Sequence, residues 1–405
     1  MSKAPTVFSN YHPSYWLAAL GAGGLSVSFF MYLMWMIPHH GYPMPTWEHL
    51  KHAWETTTAS GMPMAPIILI GSVGVFSLAG LHFWLLIWNI RQLKHPLNKY
   101  ALTNLRQSPA ELQFMAIPLT LAMTVNVCFA LAALFVPNIW SVVEFLFPFA
   151  LLAFSAIGWY ALKVYGSYMG RMLINGGYRI EEHNNLSGLI AVFTFAMLSV
   201  GFAAPAAMSH VKTIAAVAAS LSILFFVLAV IVGLIVLVTG VTAMMTHGLQ
   251  AQSTPSIWML IPILTLLGIE WVRMQHGLSH HFSGETTKAS TFVTLTGIFV
   301  LQIAVMLFGV KVMRKNGYLQ QHLFGYSANP TSFGLICPGV ALFVLGMFWW
   351  HLGWVDTGLI DKFGFIYWSV IFLLASTQLL TLAAFLRLVW NFLIKDKTSS
   401  NNINF

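Results

Sequence analysis

Histidine and methionine offer the most chemistry in this chain. His39, His40, His49, His52, His210, His276, His280 and His281 fall in or beside loops on one side of the topology developed below, with Met44, Met62 and Met64 near them. Imidazole and thioether donors together suit copper, and His276 with His280 has the i, i+4 spacing that sets two rings on one helical face. His49 and His52 are the other candidate ligands. The competing reading is that interfacial loops favour histidine and that methionine is frequent in any apolar chain. Glu270 and Arg273, three residues apart, can pair on one helical face, either within a pathway or as a plain structural ion pair.

Other reactive groupings do not assemble. Cys128 and Cys337 both sit in hydrophobic runs, which leaves neither a disulfide framework nor a four-cysteine metal site. Haem would need opposed axial ligands inside membrane segments, and only His82 lies well inside one. No Gly-rich loop leads into Lys-Ser or Lys-Thr, so nucleotide-driven transport by this chain alone is excluded. A non-enzymatic protein without a cofactor is expected.

The elements that must position these residues follow from composition. Of 405 residues, 58% are hydrophobic and 7% charged, against roughly 25% charged in a soluble domain. Apolar runs of about 20 residues or more, the length that crosses a hydrocarbon layer, recur throughout. Ten spans are predicted near residues 14–36, 65–90, 114–136, 139–163, 188–208, 212–246, 255–275, 289–313, 332–354 and 366–393. The fold class expected is an all-α membrane protein forming one transmembrane domain over 1–405, with the first span retained rather than cleaved.

Placing both termini in the cytoplasm puts 14 of the 19 basic residues on the inner side, including Lys3, Arg179, Lys395 and Lys397. Seven of the eleven acidic residues, Glu285 among them, then lie outside. This is the cytoplasmic excess of Lys and Arg that sets orientation, and it accounts for the formal charge of +8 without a nucleic-acid partner. An inner (plasma) membrane location is expected. Thr46 is placed to cap a short interfacial helix in the longest outer connection.

Four odd-numbered spans open alike, at His12-Pro13-Ser14, Ser108-Pro109-Ala110, Thr254-Pro255-Ser256 and Asn329-Pro330-Thr331, and the fifth span follows Asn184-Asn185-Leu186-Ser187. The repeat unit is a helical hairpin, giving 11–90, 108–163, 184–246, 254–315 and 329–393. About eight residues beyond each opening comes a disruption: Gly21, Pro118, Pro262 and Pro338, with Phe193 at the matching place in the fifth span. Proline within a membrane helix frees a backbone group that only a neighbour or an aqueous cavity can satisfy. Breaks at one depth predict five kinked helices around a central pore, with the plainly apolar even spans facing lipid. Thr120, Thr124 and Thr265 are expected to line that pore, and Phe193 or Phe195 to project into it. Such a lining offers hydroxyls, freed amides and helix-end dipoles rather than a binding arginine.

Phe114 to Thr120, Thr254 to Trp258 with Ile261-Pro262, and the ten-span hairpin plan resemble the tellurite-resistance/dicarboxylate transporter group, which includes the tellurite-resistance protein TehA and the plant slow-type anion channels. The resemblance implies five hairpins around a pore, commonly as a homo-trimer with one pore per subunit, in contact with membrane lipid. It implies passage of small inorganic or organic anions, passively or coupled to an ion gradient. In that group a phenylalanine on the ninth span plugs the pore next to a proline, whereas here Cys337 precedes Pro338, and Phe333 and Phe343 are offset. A plug from the fifth span or a differently built gate are the alternatives, and a copper-binding or redox protein using the outer His/Met cluster is the other functional reading.

Overall fold

The computed structural model describes residues 11–60, 64–176, 184–282, 287–323 and 330–391. Lys3, Met62, Arg179, Glu285, Asn329, Lys395, Lys397 and the side chain of His280 lie outside this description. Among the described residues there is no strand, and ten helices are long and apolar enough to cross a membrane. The chain is an all-α multi-pass membrane protein.

The described residues form twelve α-helices: α1 (Trp16–Met36), α2 (Trp47–Ser60), α3 (Met64–Lys94), α4 (Lys99–Arg106), α5 (Ala116–Phe135), α6 (Val143–Asn175), α7 (Leu189–Met208), α8 (Lys212–His247), α9 (Leu260–Phe282), α10 (Lys288–Lys315), α11 (Ile336–Phe348) and α12 (Phe365–Val389). The helices α1, α5, α7, α9 and α11 form a closed ring, each packing on the next and α11 returning to α1. Outside it, α3 lies on α1, α6 on α5 and α7, α8 on α7, α10 on α9, and α12 on α11. Burial separates the layers. The most apolar window of each ring span is 50–94% buried, against 17–33% for the outer five. Leu234, Val300, Phe308 and Phe372 on outer helices are exposed as lipid-facing side chains should be.

The repeated prolines do something other than kink the helices. Short 3-10 segments, Pro13–Tyr15, Pro109–Met115, Ala251–Met259 and Pro330–Leu335, precede α1, α5, α9 and α11. Pro118, Pro262 and Pro338 are then each the third residue of the following α-helix. At that place the missing amide belongs to the first turn, whose donors have no partner within the α-helix, so the ring falls at the junction where 3-10 winding relaxes to α. Gly21 likewise makes no break, because α1 is continuous through it. Instead the glycines of α1 admit neighbours: a Cβ on Gly21 would meet Ile336 at 3.1 Å, one on Gly23 would meet Met123 and His82 at 2.8 and 2.9 Å, and one on Gly24 would meet Val340 at 3.3 Å.

Two openings also differ from expectation. His12 rather than a hydroxyl caps the first segment, its Nδ1 accepting from the Ser14 amide, while Ser108 Oγ accepts from Ala110 as foreseen. Thr254 lies inside its 3-10 segment and donates to the Ala251 carbonyl. Hydropathy ends the fourth span near 163, yet α6 continues to Asn175 because Arg171 reaches across to Glu111 and to the Arg106 carbonyl.

Polar side chains clip the layers together. Gln302 on α10 is fully buried and donates to the Ile261 carbonyl (2.8 Å) and to Thr265 Oγ1 (2.7 Å) on α9; Thr265 donates in turn to the Ala341 carbonyl (3.0 Å) on α11. Interhelical hydrogen bonds in membranes contribute up to about 1.7 kcal/mol, so Gln302→Leu should lower stability by about 1 kcal/mol. Thermal unfolding in detergent reads this out, and an unchanged midpoint would show the clip to be energetically idle.

Candidate functional site

Two cavities lie within the ring, each of about 190 Å³. The first, at the carboxy-terminal half of the ring helices, is mainly apolar and includes Gly21, Asn126, Thr265 and Arg273 in its wall. The second, at their amino-terminal ends, is lined by polar groups such as Gln113, Ser187, Gln252, Ser253, Ser256 and Thr331. Phe193, Pro262 and Cys337 line both. They therefore belong to a wall, or septum, that the two cavities share, contributed by α7, α9 and α11.

The local reasons are visible. Pro262 is the third residue of α9 and Cys337 the second of α11, so both lie in the first turn, at the 3-10 to α junctions, which fixes their depth. Phe193 comes from α7, the most buried of the ring spans, and is itself only 5% exposed. The amino-terminal vestibule is held by cross-helix hydrogen bonds. Ser14 Oγ donates to Gln113 Oε1 (3.1 Å), and Ser256 Oγ accepts from the Leu186 amide (3.0 Å). The converging helix starts add partial positive charge there.

Other expected pathway residues are turned elsewhere. Phe195, two residues from Phe193 and so on another face of α7, is fully buried against Tyr165 and Phe225, with ring centroids 5.4 and 6.1 Å away. Thr120 donates to the Ala116 and Trp16 carbonyls and faces α1. Thr124 meets His82 Nε2 at 2.9 Å, while His82 Nδ1 meets the Ala19 carbonyl at 2.7 Å. Pro118 and Pro338 are buried in helix contacts and line neither cavity. Phe333 and Phe343 are fully buried, the latter against Tyr32 at 5.4 Å.

Glu270 and Arg273 do not pair. The Glu270 carboxylate accepts from Ser222 Oγ on α8 (2.9 Å), whereas Arg273 Nη1 donates to the Val200 carbonyl on α7 (2.9 Å) and the side chain borders the carboxy-terminal cavity. A cation in the cavity wall was the residue that sequence spacing hid, because one turn of helix fits an ion pair equally well.

The histidines of the candidate metal cluster do not converge. Among the described residues no three or more His, Cys, Asp or Glu side chains approach closely enough to share a metal ion. His49 spends its Nδ1 on Thr46, and the His39 ring lies 6.3 Å from the His49 ring. Burial and the neighbouring His39 hold His49 below the usual imidazole range. His52 is exposed on α2, and His276 is exposed on α9. The buried His82 and His351 are each engaged at both ring nitrogens, His351 with the Met347 carbonyl and Tyr367. Comparison with protein-family models, with curated proteins and with solved structures finds no match.

Proposed function

We propose that this chain is a channel or transporter for small anions, passive or coupled to an ion gradient. The observation that carries the reading is the pair of cavities that share Phe193, Pro262 and Cys337 in their walls inside a closed five-helix ring, an arrangement that supports a pathway with one septum across it. Anions are favoured over cations by the hydroxyls, amides and helix starts of one vestibule and by Arg273 in the wall of the other. Arg91, Lys94, Arg314, Lys315 and Arg387 close their helices on the side where the ring helices begin, which supports that side as cytoplasmic in a plasma membrane. Assembly as a homo-trimer with one pathway per subunit accords with the group that the sequence resembles.

Copper handling is the second reading. Met31, Met123, Met197 and Met208 share a cavity with Cys337, and thioether with thiol suits Cu(I). Arg273 in the same wall weighs against a cation. Purified protein in liposomes should release chloride or nitrate under a potassium-clamped gradient and should carry no stoichiometric metal. Copper at one per chain, with no anion release from either wild type or Phe193→Ala, would overturn the proposal.

A further inference from the structure

The carboxy-terminal cavity combines one cation with walls that suit hydrocarbon. Arg273 carries five N–H donors, of which one meets the Val200 carbonyl at 2.9 Å. Among the described residues no carboxylate lies within ion-pairing distance of it, since Glu270 is turned to Ser222. A charge in apolar surroundings is costly without a counter-charge and hydrogen-bond partners. The second polar group in the wall, Asn126, directs its amide at Met197 Sδ at 3.5 Å, a weak acceptor. Thr265, the third, already serves Ala341 and Gln302.

Most of the remaining wall is apolar and adaptable. Phe30, Phe129, Met31, Met123 and Met208 line it, and methionine side chains repack around differently shaped apolar bodies. The amino-terminal vestibule, with its glutamines, serines and threonine, has the opposite character. A hydrated inorganic anion would find few groups here to replace its water, and a dianion would keep one charge unbalanced against a single arginine. The volume, about 190 Å³, is well above the ~10–15 Å³ that a single water needs.

We infer that this cavity binds an amphipathic organic monoanion, a carboxylate or sulfonate with an apolar body, with its headgroup on Arg273 and Asn126 and its body among the methionines and phenylalanines. This rests on the anion-pathway reading and names its substrate class. An anionic phospholipid shares the chemistry, and the assay separates the two sources.

Benzenesulfonate is a suitable probe because it stays ionised and does not leak through lipid as a neutral acid. Equilibrium dialysis against wild-type protein in phosphatidylcholine nanodiscs should show saturable binding, with sulfate and benzyl alcohol each competing at least tenfold less well. A charge-assisted hydrogen bond is lost in Arg273→Gln, which should weaken binding roughly tenfold or more, with Arg273→Lys recovering part. Asn126→Ala should cost about fivefold and supplies a second reading if Arg273→Gln does not fold. Unchanged affinity in both variants, sulfate competing as strongly as benzenesulfonate, or displacement by phosphatidylglycerol at nanodisc concentrations would overturn the assignment. Chloride release from Phe193→Ala liposomes separates the two levels. Release without benzenesulfonate binding removes this inference alone, whereas binding without any anion release removes the pathway reading.

Discussion

Phe193→Ala should raise the anion conductance of the reconstituted protein on the order of tenfold or more, each ~1.4 kcal/mol taken from the barrier being worth about tenfold in rate. The ring borders both vestibules, and its two partners in the septum cannot substitute for it. Pro262 is fixed in a helix first turn, and Cys337 has a short side chain on the neighbouring α11. Truncation should therefore join the two cavities, each of about 190 Å³, into one path. The variant should still fold. Phe→Ala in a packed core costs about 3–5 kcal/mol, and a ring that already faces free volume on two sides belongs at or below the low end of that range. Phe195→Ala is the matched control, because its ring packs on Tyr165 and Phe225 instead of the septum. It should lose stability with no gain in conductance. An unchanged Phe193→Ala together with a rise in Cys337→Ala would move the barrier to α11.

Glu111→Ala should cause a large loss of stability. Glu111 sits in the 3-10 segment that opens α5, and Arg171 comes from the extension of α6; Arg171 Nη2 donates to Glu111 Oε2 while Nη1 donates to the Arg106 carbonyl. The Glu111 side chain is 9% exposed and the Arg171 side chain 26%, so removing one partner strands a partly desolvated charge. That typically costs about 3–5 kcal/mol, whereas replacing both partners with apolar residues of similar volume is often neutral. Partial exposure of Arg171 puts the expected loss near the lower figure. Thermal unfolding of Glu111→Ala checks it, and the cycle of Glu111→Met, Arg171→Met and the double variant carrying both tests the coupling, with the double variant more stable than either single one. If the three shifts simply add, the pair is not coupled. Because Gln113 of the same segment lines the amino-terminal vestibule, Glu111→Ala should also reduce anion flux.

Much of the architecture is legible along the chain. Ten apolar runs, the shared openings before Pro13, Pro109 and Pro330, and the matched Pro118, Pro262 and Pro338 are one-dimensional signals, and they separate the five ring helices from the five outer ones. The same signals mislead at the next level. Proline at a fixed depth suggests a kink, but whether an amide is missed depends on where the α-helix begins, and that is set by the 3-10 turns before it. Likewise Lys163 and the falling hydropathy after it end the fourth span on paper, while the cross-helix contact of Arg171 carries α6 to Asn175.

What the sequence determined by itself was the solvent: with 58% hydrophobic and 7% charged residues, the chain must satisfy its backbone within helices and face lipid. It also determined how many helices are long and apolar enough to cross a membrane and which have polar, proline-marked beginnings. Only the tertiary structure decided which side chains face the axis. Phe193 and Phe195 are two residues apart on one apolar helix, and Glu270 and Arg273 are one turn apart on another. Each pair is separated by rotation about a helix axis, and that rotation is set by packing against neighbours distant in sequence: α6 and α8 take Phe195 and Glu270, leaving Phe193 at the septum and Arg273 in the cavity wall.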